Sequence, residues 1–127
     1  MKYTISEQER SRLATKYMQD SKIFFYPPCI VPGWERLTDE IIHKVKTHNE
    51  TSTPQVRIFQ MKLKFGTLVV YLEPVDPEWT DGVPAELEKQ VNNIVLQSRS
   101  TCPQCGNKQV KTVDNSRLAM RCLKCWL

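Results

Sequence analysis

Two pairs of cysteines near the end of the chain, Cys102-Pro-Gln-Cys105 and Cys122-Leu-Lys-Cys125, have the types and spacing that hold a metal ion. A C-x-x-C turn lets two thiolates of one short loop face the same ion, and two such turns complete a tetrahedron of the kind zinc favours. The 16 residues from Gly106 to Arg121 between the pairs fall inside the separation expected of a four-cysteine zinc site. Gly106 directly follows Cys105, where a knuckle must bend. A redox dithiol is the competing reading, but a thioredoxin-like C-x-x-C belongs in a βαβ pattern that this sequence lacks. Iron fits the same four thiolates, although nothing in the spacing demands it.

A shell closed by four thiolates leaves no coordination position for water, so this reading makes the metal structural and excludes Lewis-acid chemistry on it. Lys108–Val113 and Ser116–Met120 read as short strands around the turn dipeptide Asp114-Asn115, which makes a hairpin carrying one knuckle. About 25 residues bury too little to fold alone, so the ion is expected to supply the folding energy of this segment.

The remaining candidates for chemistry are sparse. His43 and His48, the only histidines, stand beside no serine or cysteine motif and read as surface side chains. Cys29, between Pro28 and Ile30, reads as a small buried hydrophobe with no cation nearby to lower its pKa. Asp76, Glu78, Asp81, Glu86 and Glu88 lie in a Pro/Gly loop and a first helical turn, where the helix dipole favours carboxylates. The four glycines, 33, 66, 82 and 106, are too far apart for a phosphate loop or dinucleotide fingerprint. No enzyme is expected.

Charge is unevenly divided. The net charge is +4, yet residues 99–127 hold Arg99, Lys108, Lys111, Arg117, Arg121 and Lys124 against Asp114 alone, which is +5. The other 98 residues, with 12 basic and 13 acidic side chains, sum to −1. Contact with a polyanion is therefore expected at the ribbon, through Lys108, Lys111, Arg117, Arg121 and Lys124. Trp126, beside the last ligand, is an aromatic that either stacks on a base or packs on the knuckle.

The elements that position these residues read as an α+β body over 1–100 followed by the zinc ribbon over 101–127. Thr4-Ile-Ser-Glu7 is a capping box opening a helix to about Asp20, with Leu13, Ala14, Tyr17 and Met18 on one face. Residues 23–33 are apolar but hold three prolines and a glycine, so they read as a covering loop. Trp34, Leu37, Ile41, Ile42 and Val45 mark a second helix, and 47–54 a polar linker.

From Gln55 the period changes to that of a strand. Val56 and Ile58 fall on one face, Phe59, Met61 and Leu63 on the other, and the shift between Ile58 and Phe59 marks a bulge. Phe65-Gly66 turns into a second strand, Thr67–Leu72. Trp79 reads as a loop aromatic covering the sheet. A third helix starts near Pro84, shows Leu87, Val91, Ile94 and Val95, and ends around Ser100. The class is α+β, three amphipathic helices on a small antiparallel hairpin with a ribbon behind it.

Gly33-Trp34, then Gln60-Met-Lys-Leu-Lys-Phe-Gly-Thr-Leu68 with Tyr71, then Cys102-Pro-Gln-Cys105-Gly106 give the stretch from about residue 28 to the end a resemblance. It resembles a widespread group of short uncharacterised proteins of bacteria and their phages, with a K-F-G-T-L strand, a helix and a C-x-x-C-G tail. Val69-Val70 stands where that group usually has Arg-Phe, and residues 4–20 have no counterpart in it. The resemblance implies a metal-binding tail and a phage or mobile-element setting, and it implies no activity.

No apolar run nears the roughly 20 residues a membrane helix needs, and the first residues lack a secretion signal, so a cytoplasmic protein with reduced thiols is expected. The function expected is a binding module with a protein partner and nucleic-acid contact through the ribbon. The alternative is a phage or mobile-element effector that occupies a host nucleic-acid-handling or defence complex.

Overall fold

A computed structural model describes residues 6–18, 22–26, 30–64, 67–103, 105–106, 110–112 and 120–122. Three helices and an antiparallel hairpin make the body. Helix α1 is Glu7–Met18, a single 3-10 turn covers Pro32–Trp34, and α2 follows directly as Glu35–Thr51. Strands β1 (Val56–Lys64) and β2 (Thr67–Pro74) precede α3 (Ala85–Ser98). Beyond it, β3 (Val110–Thr112) pairs antiparallel with β4 (Met120–Cys122). No described helix is long and apolar enough to cross a membrane.

The α2 stripe is as periodicity demands. Trp34, Leu37, Ile41 and Val45 are at most 1% exposed, and Leu87, Val91 and Ile94 of α3 meet them in one core. Burying each such side chain is worth about 1.5–3 kcal/mol, so these two helices carry much of the fold. Pro84 precedes α3 as its N-cap residue, where a missing N–H costs nothing. Ser98, buried at the other end, accepts from the Leu68 amide at 3.0 Å and donates to the Val95 carbonyl at 2.7 Å, pinning α3 to β2.

Helix α1 differs in detail from its expected form. Ser6 caps the helix, its Oγ accepting from the Glu9 amide at 3.2 Å; Thr4 and Asp20, named in the expected cap and helix end, lie outside the described residues. Leu13 and Tyr17 are buried but Ala14 is exposed, so the apolar stripe is narrow. What ties α1 down is polar. Arg12 reaches both carboxylate oxygens of Glu35 at 3.0 and 2.7 Å, Lys16 bridges Glu35 and Asp39, and the Tyr17 hydroxyl donates to Asp39 at 2.8 Å.

Helix α2 is longer than the sequence suggested, because it continues through residues read as linker. Its last turn is held from outside. His48 Nε2 lies 2.8 Å from the Pro54 carbonyl, while the Asn49 amide accepts from the Val56 N–H and donates to the Val56 carbonyl, both at 2.8 Å. Asn49 thus acts as a one-residue strand partner at the start of β1.

The hairpin bulges where expected, with Ile58 opposite Leu72 and Gln60 opposite Tyr71, leaving Phe59 as the extra residue. Its consequence reverses the expected faces. One added residue flips the alternation, so Met61 and Leu63 join Val56 and Ile58 against the helices, and Phe59 joins the outer aromatics. Ile23–Tyr26 does more than cover, since it runs along the far edge of β1. The Phe25 amide donates to the Ile58 carbonyl at 2.9 Å, and the Ile58 amide donates back to the Ile23 carbonyl at 2.6 Å. Trp79 closes its own loop, its indole N–H donating to the Gly82 carbonyl at 2.9 Å.

Candidate metal centre

Helix α3 ends at Ser98, and the turn that follows delivers Thr101, Cys102 and Pro103 into the protein as buried residues while Cys105 is exposed. The Gly106 amide donates to the Cys102 carbonyl at 2.8 Å, closing the loop that carries both thiols. Gly106 has φ +80, a left-handed conformation that side chains disfavour, so the glycine after the second cysteine is what lets this turn close.

The turn rests on the 3-10 turn before α2. The Gly33 amide donates to the Pro103 carbonyl at 2.8 Å, and the Trp34 indole N–H donates to the Thr101 carbonyl at 2.8 Å. Contact is so close that a Cβ on Gly33 would lie 2.0 Å from the Cys102 carbonyl oxygen and 2.5 Å from the Pro103 carbonyl carbon. A Cβ on Gly106 would meet the Gly33 carbonyl oxygen at 3.2 Å. Two glycines therefore face each other across a backbone-to-backbone contact, and Trp34, 1% exposed, both fills the core and clamps the turn. Thr101, Cys102 and Pro103 pack as a continuation of the body.

Of the other two predicted ligands, Cys122 is the last residue of β4, paired in register with Val110, and Cys125 lies outside the described residues. Strand β4 starts where the sequence expectation placed the end of its second strand, so the pairing carries directly into Cys122. The donor set and the Cys102–Gly106 turn suit a four-thiolate ion of the zinc type. Among the described residues, no group of three or more His, Cys, Asp or Glu side chains that could hold a metal ion is gathered.

Of the expected polyanion contacts, Lys111 and Arg121 occupy directly paired positions of β3 and β4. Lys108, Arg117 and Lys124 lie outside the described residues, as do Cys29, Gly66, Asp114, Asn115 and Trp126. His43 is exposed, and His48 belongs to α2, where its carbonyl bond accounts for it. Both line a cleft of about 520 Å³ between the end of α2 and the start of α3, shared with Lys44, Glu86 and Gln90.

Strong electrostatic perturbation lies elsewhere, between α1 and α2. Hydrogen bonds from Arg12 and then Lys16 pull the Glu35 carboxyl down to about 2, against a smaller opposing effect of burial. Burial, reinforced by the bond to Asp39, pushes the Tyr17 hydroxyl up. Sequence reasoning missed this network because its partners sit 19 to 23 residues apart. It missed the seating of Gly33 too, although the Gly-Trp pair was its visible trace.

Comparison of the chain with protein-family models, with curated proteins and with solved structures finds no match.

Proposed function

We propose that this chain is a non-enzymatic binding module whose α+β body recognises a protein partner, with a structural zinc ion on Cys102, Cys105, Cys122 and Cys125. The basic ribbon residues Lys108, Lys111, Arg117, Arg121 and Lys124 lie against nucleic acid in this reading. The observation that supports it most is the seating of the Cys102–Gly106 turn on Gly33 and Trp34. A turn built around two thiols, closed by a left-handed glycine and fixed on the core, suits a metal that locks a short hairpin to a larger body. Such an ion contributes folding energy and rigidity rather than chemistry.

Elemental analysis of protein purified under reducing, chelator-free conditions tests the metal, with about one zinc per chain expected for one four-thiolate site. Cys105→Ser and Cys122→Ser should each lose it. A stoichiometry near zero for the unmodified chain would overturn the reading. Affinity capture from native cells with crosslinking then identifies the protein partner.

A further inference from the structure

The outer face of the β1–β2 hairpin is covered by no described helix, and its composition differs from that of the rest of the body. Register places Arg57 opposite Glu73, Gln60 opposite Tyr71, Lys62 opposite Val69 and Lys64 opposite Thr67, all on the side away from the core. Among the described residues, Arg57, Lys62 and Lys64 share this face with Glu73, which pairs with Arg57. Of the body's other carboxylates, Glu9, Glu35 and Asp39 gather between α1 and α2, Glu86 and Glu88 lie in the first turn of α3, and Asp76, Glu78 and Asp81 follow β2 in the loop beyond Pro74.

Aromatic rings stand among these cations. Phe25 and Tyr26, on the segment that edges β1, are 48% and 49% exposed, and Tyr71 is 47% exposed. Phe25 stacks on Phe59 with centroids 5.3 Å apart and planes at 19°, and the Arg57 guanidinium lies 4.6 Å from the Phe25 centroid. Tyr26 meets both rings edge-on. A guanidinium and two rings therefore form a short ready-made stack, held rigid by the ion pair of Arg57 with Glu73. Beside it, Phe59, Tyr71, Gln60, Lys62 and Glu73 line a shallow slot of about 340 Å³.

We infer that this face is a stacking platform for single-stranded nucleic acid, separate from the ribbon and independent of its metal. Exposed rings on a sheet offer flat apolar surface to bases, which every base can use. Lysines on the same strands offer positive charge to the phosphates between those bases. Duplex DNA keeps its bases stacked inside and cannot use the rings. An acidic protein surface would use Lys62 and Lys64 but would leave the aromatic slot idle. The bulge at Phe59 is the device that builds the platform, since it puts that ring outside while keeping Met61 and Leu63 on the core.

The test is fluorescence anisotropy of the full chain with a labelled 12-nucleotide oligo-dT at low salt, with a hairpin duplex and an acidic peptide as competitors. Tyr71→Ala should weaken oligo-dT binding about tenfold, and Tyr71→Phe, which keeps the ring, should stay within about twofold of the unmodified chain. Lys62→Ala should weaken it and lower the salt slope by about one. The Tyr71→Ala effect should persist in a Lys111→Ala/Arg121→Ala background, which separates this face from the ribbon. Tyr71 is half exposed, and urea denaturation verifies that its variants are folded. Absence of oligo-dT binding, unchanged affinity in Tyr71→Ala, or stronger competition by duplex or acidic peptide than by unlabelled oligo-dT would overturn the inference.

Discussion

Gly33 carries no functional group, yet the turn that carries Cys102 and Cys105 rests on it. A methyl at that position would press on carbonyl atoms of Cys102 and Pro103, which belong to a closed turn and cannot swing aside as a side chain can. Gly33→Ala should therefore cost about 1–3 kcal/mol and loosen the turn that carries two thiols, read as a lower melting temperature and faster loss of metal to a chelator. Trp34→Ala should cost about 3–5 kcal/mol in chemical denaturation, since it empties a fully buried site. Trp34→Phe keeps most of the ring but removes the donor to Thr101, leaving that buried carbonyl unpaired at about 1–3 kcal/mol. A loss below about 1 kcal/mol for Trp34→Ala would contradict its double role. The cysteine pattern was legible in the sequence because each pair is local, three residues apart. The glycine's role was not, because contact between its neighbour Trp34 and Thr101 spans 67 residues.

Elements with periodic apolar faces were legible, and the polar cross-links that join elements were not. The stripes of α2 and α3 needed only their own spacing, whereas the last turn of α2 depends on His48 and Asn49 bonding to Pro54 and Val56. The bulge was visible as a break in alternation, but its effect on Met61 and Leu63 follows only from the register with β2. The attachment of α1 is the clearest such case, and it carries a pH dependence. Glu35 titrates near 2 in the folded chain against an ordinary 4.5, so between those values the unfolded chain binds a proton that the folded one refuses. Its stabilisation is complete above pH 4.5 and is lost as pH falls toward 2. Because the Arg12 and Lys16 ends face solvent, the contribution is about 1 kcal/mol rather than the full electrostatic value. Glu35→Gln should lower stability by about that amount at pH 7, flatten the decline between pH 4.5 and 2, and narrow its gap from the parent in 1 M salt. Denaturant midpoints at a series of pH values check this, and parallel acid slopes would count against it.

At the scale of the whole molecule, the turn after α3 rests on the body through a buried seam of Thr101, Cys102 and Pro103, and removal of the proposed metal should be felt on both sides of it. Chelation should leave the helical circular-dichroism signal of α2 and α3 largely intact but lower the melting temperature of the body by on the order of 5 °C, as residues 101–103 lose their anchorage. An unchanged body would mean that the seam holds without the ion. The charge division, legible from composition, leads to the last expectation. Register places Lys111 opposite Arg121 along β3 and β4, and two basic residue types at paired positions suit an anion. A phosphate backbone supplies such an anion, and contacts of this kind track a strand without reading its bases. Replacing both residues by alanine should weaken binding to every oligonucleotide sequence alike and flatten the dependence of log affinity on log salt by about two, one for each phosphate contact removed. The same change should leave the zinc stoichiometry at its parental value, because neither residue is a ligand. If the salt slope is unchanged while zinc is retained, the ribbon's cations serve solubility or protein docking, and nucleic-acid contact then rests on the hairpin face alone.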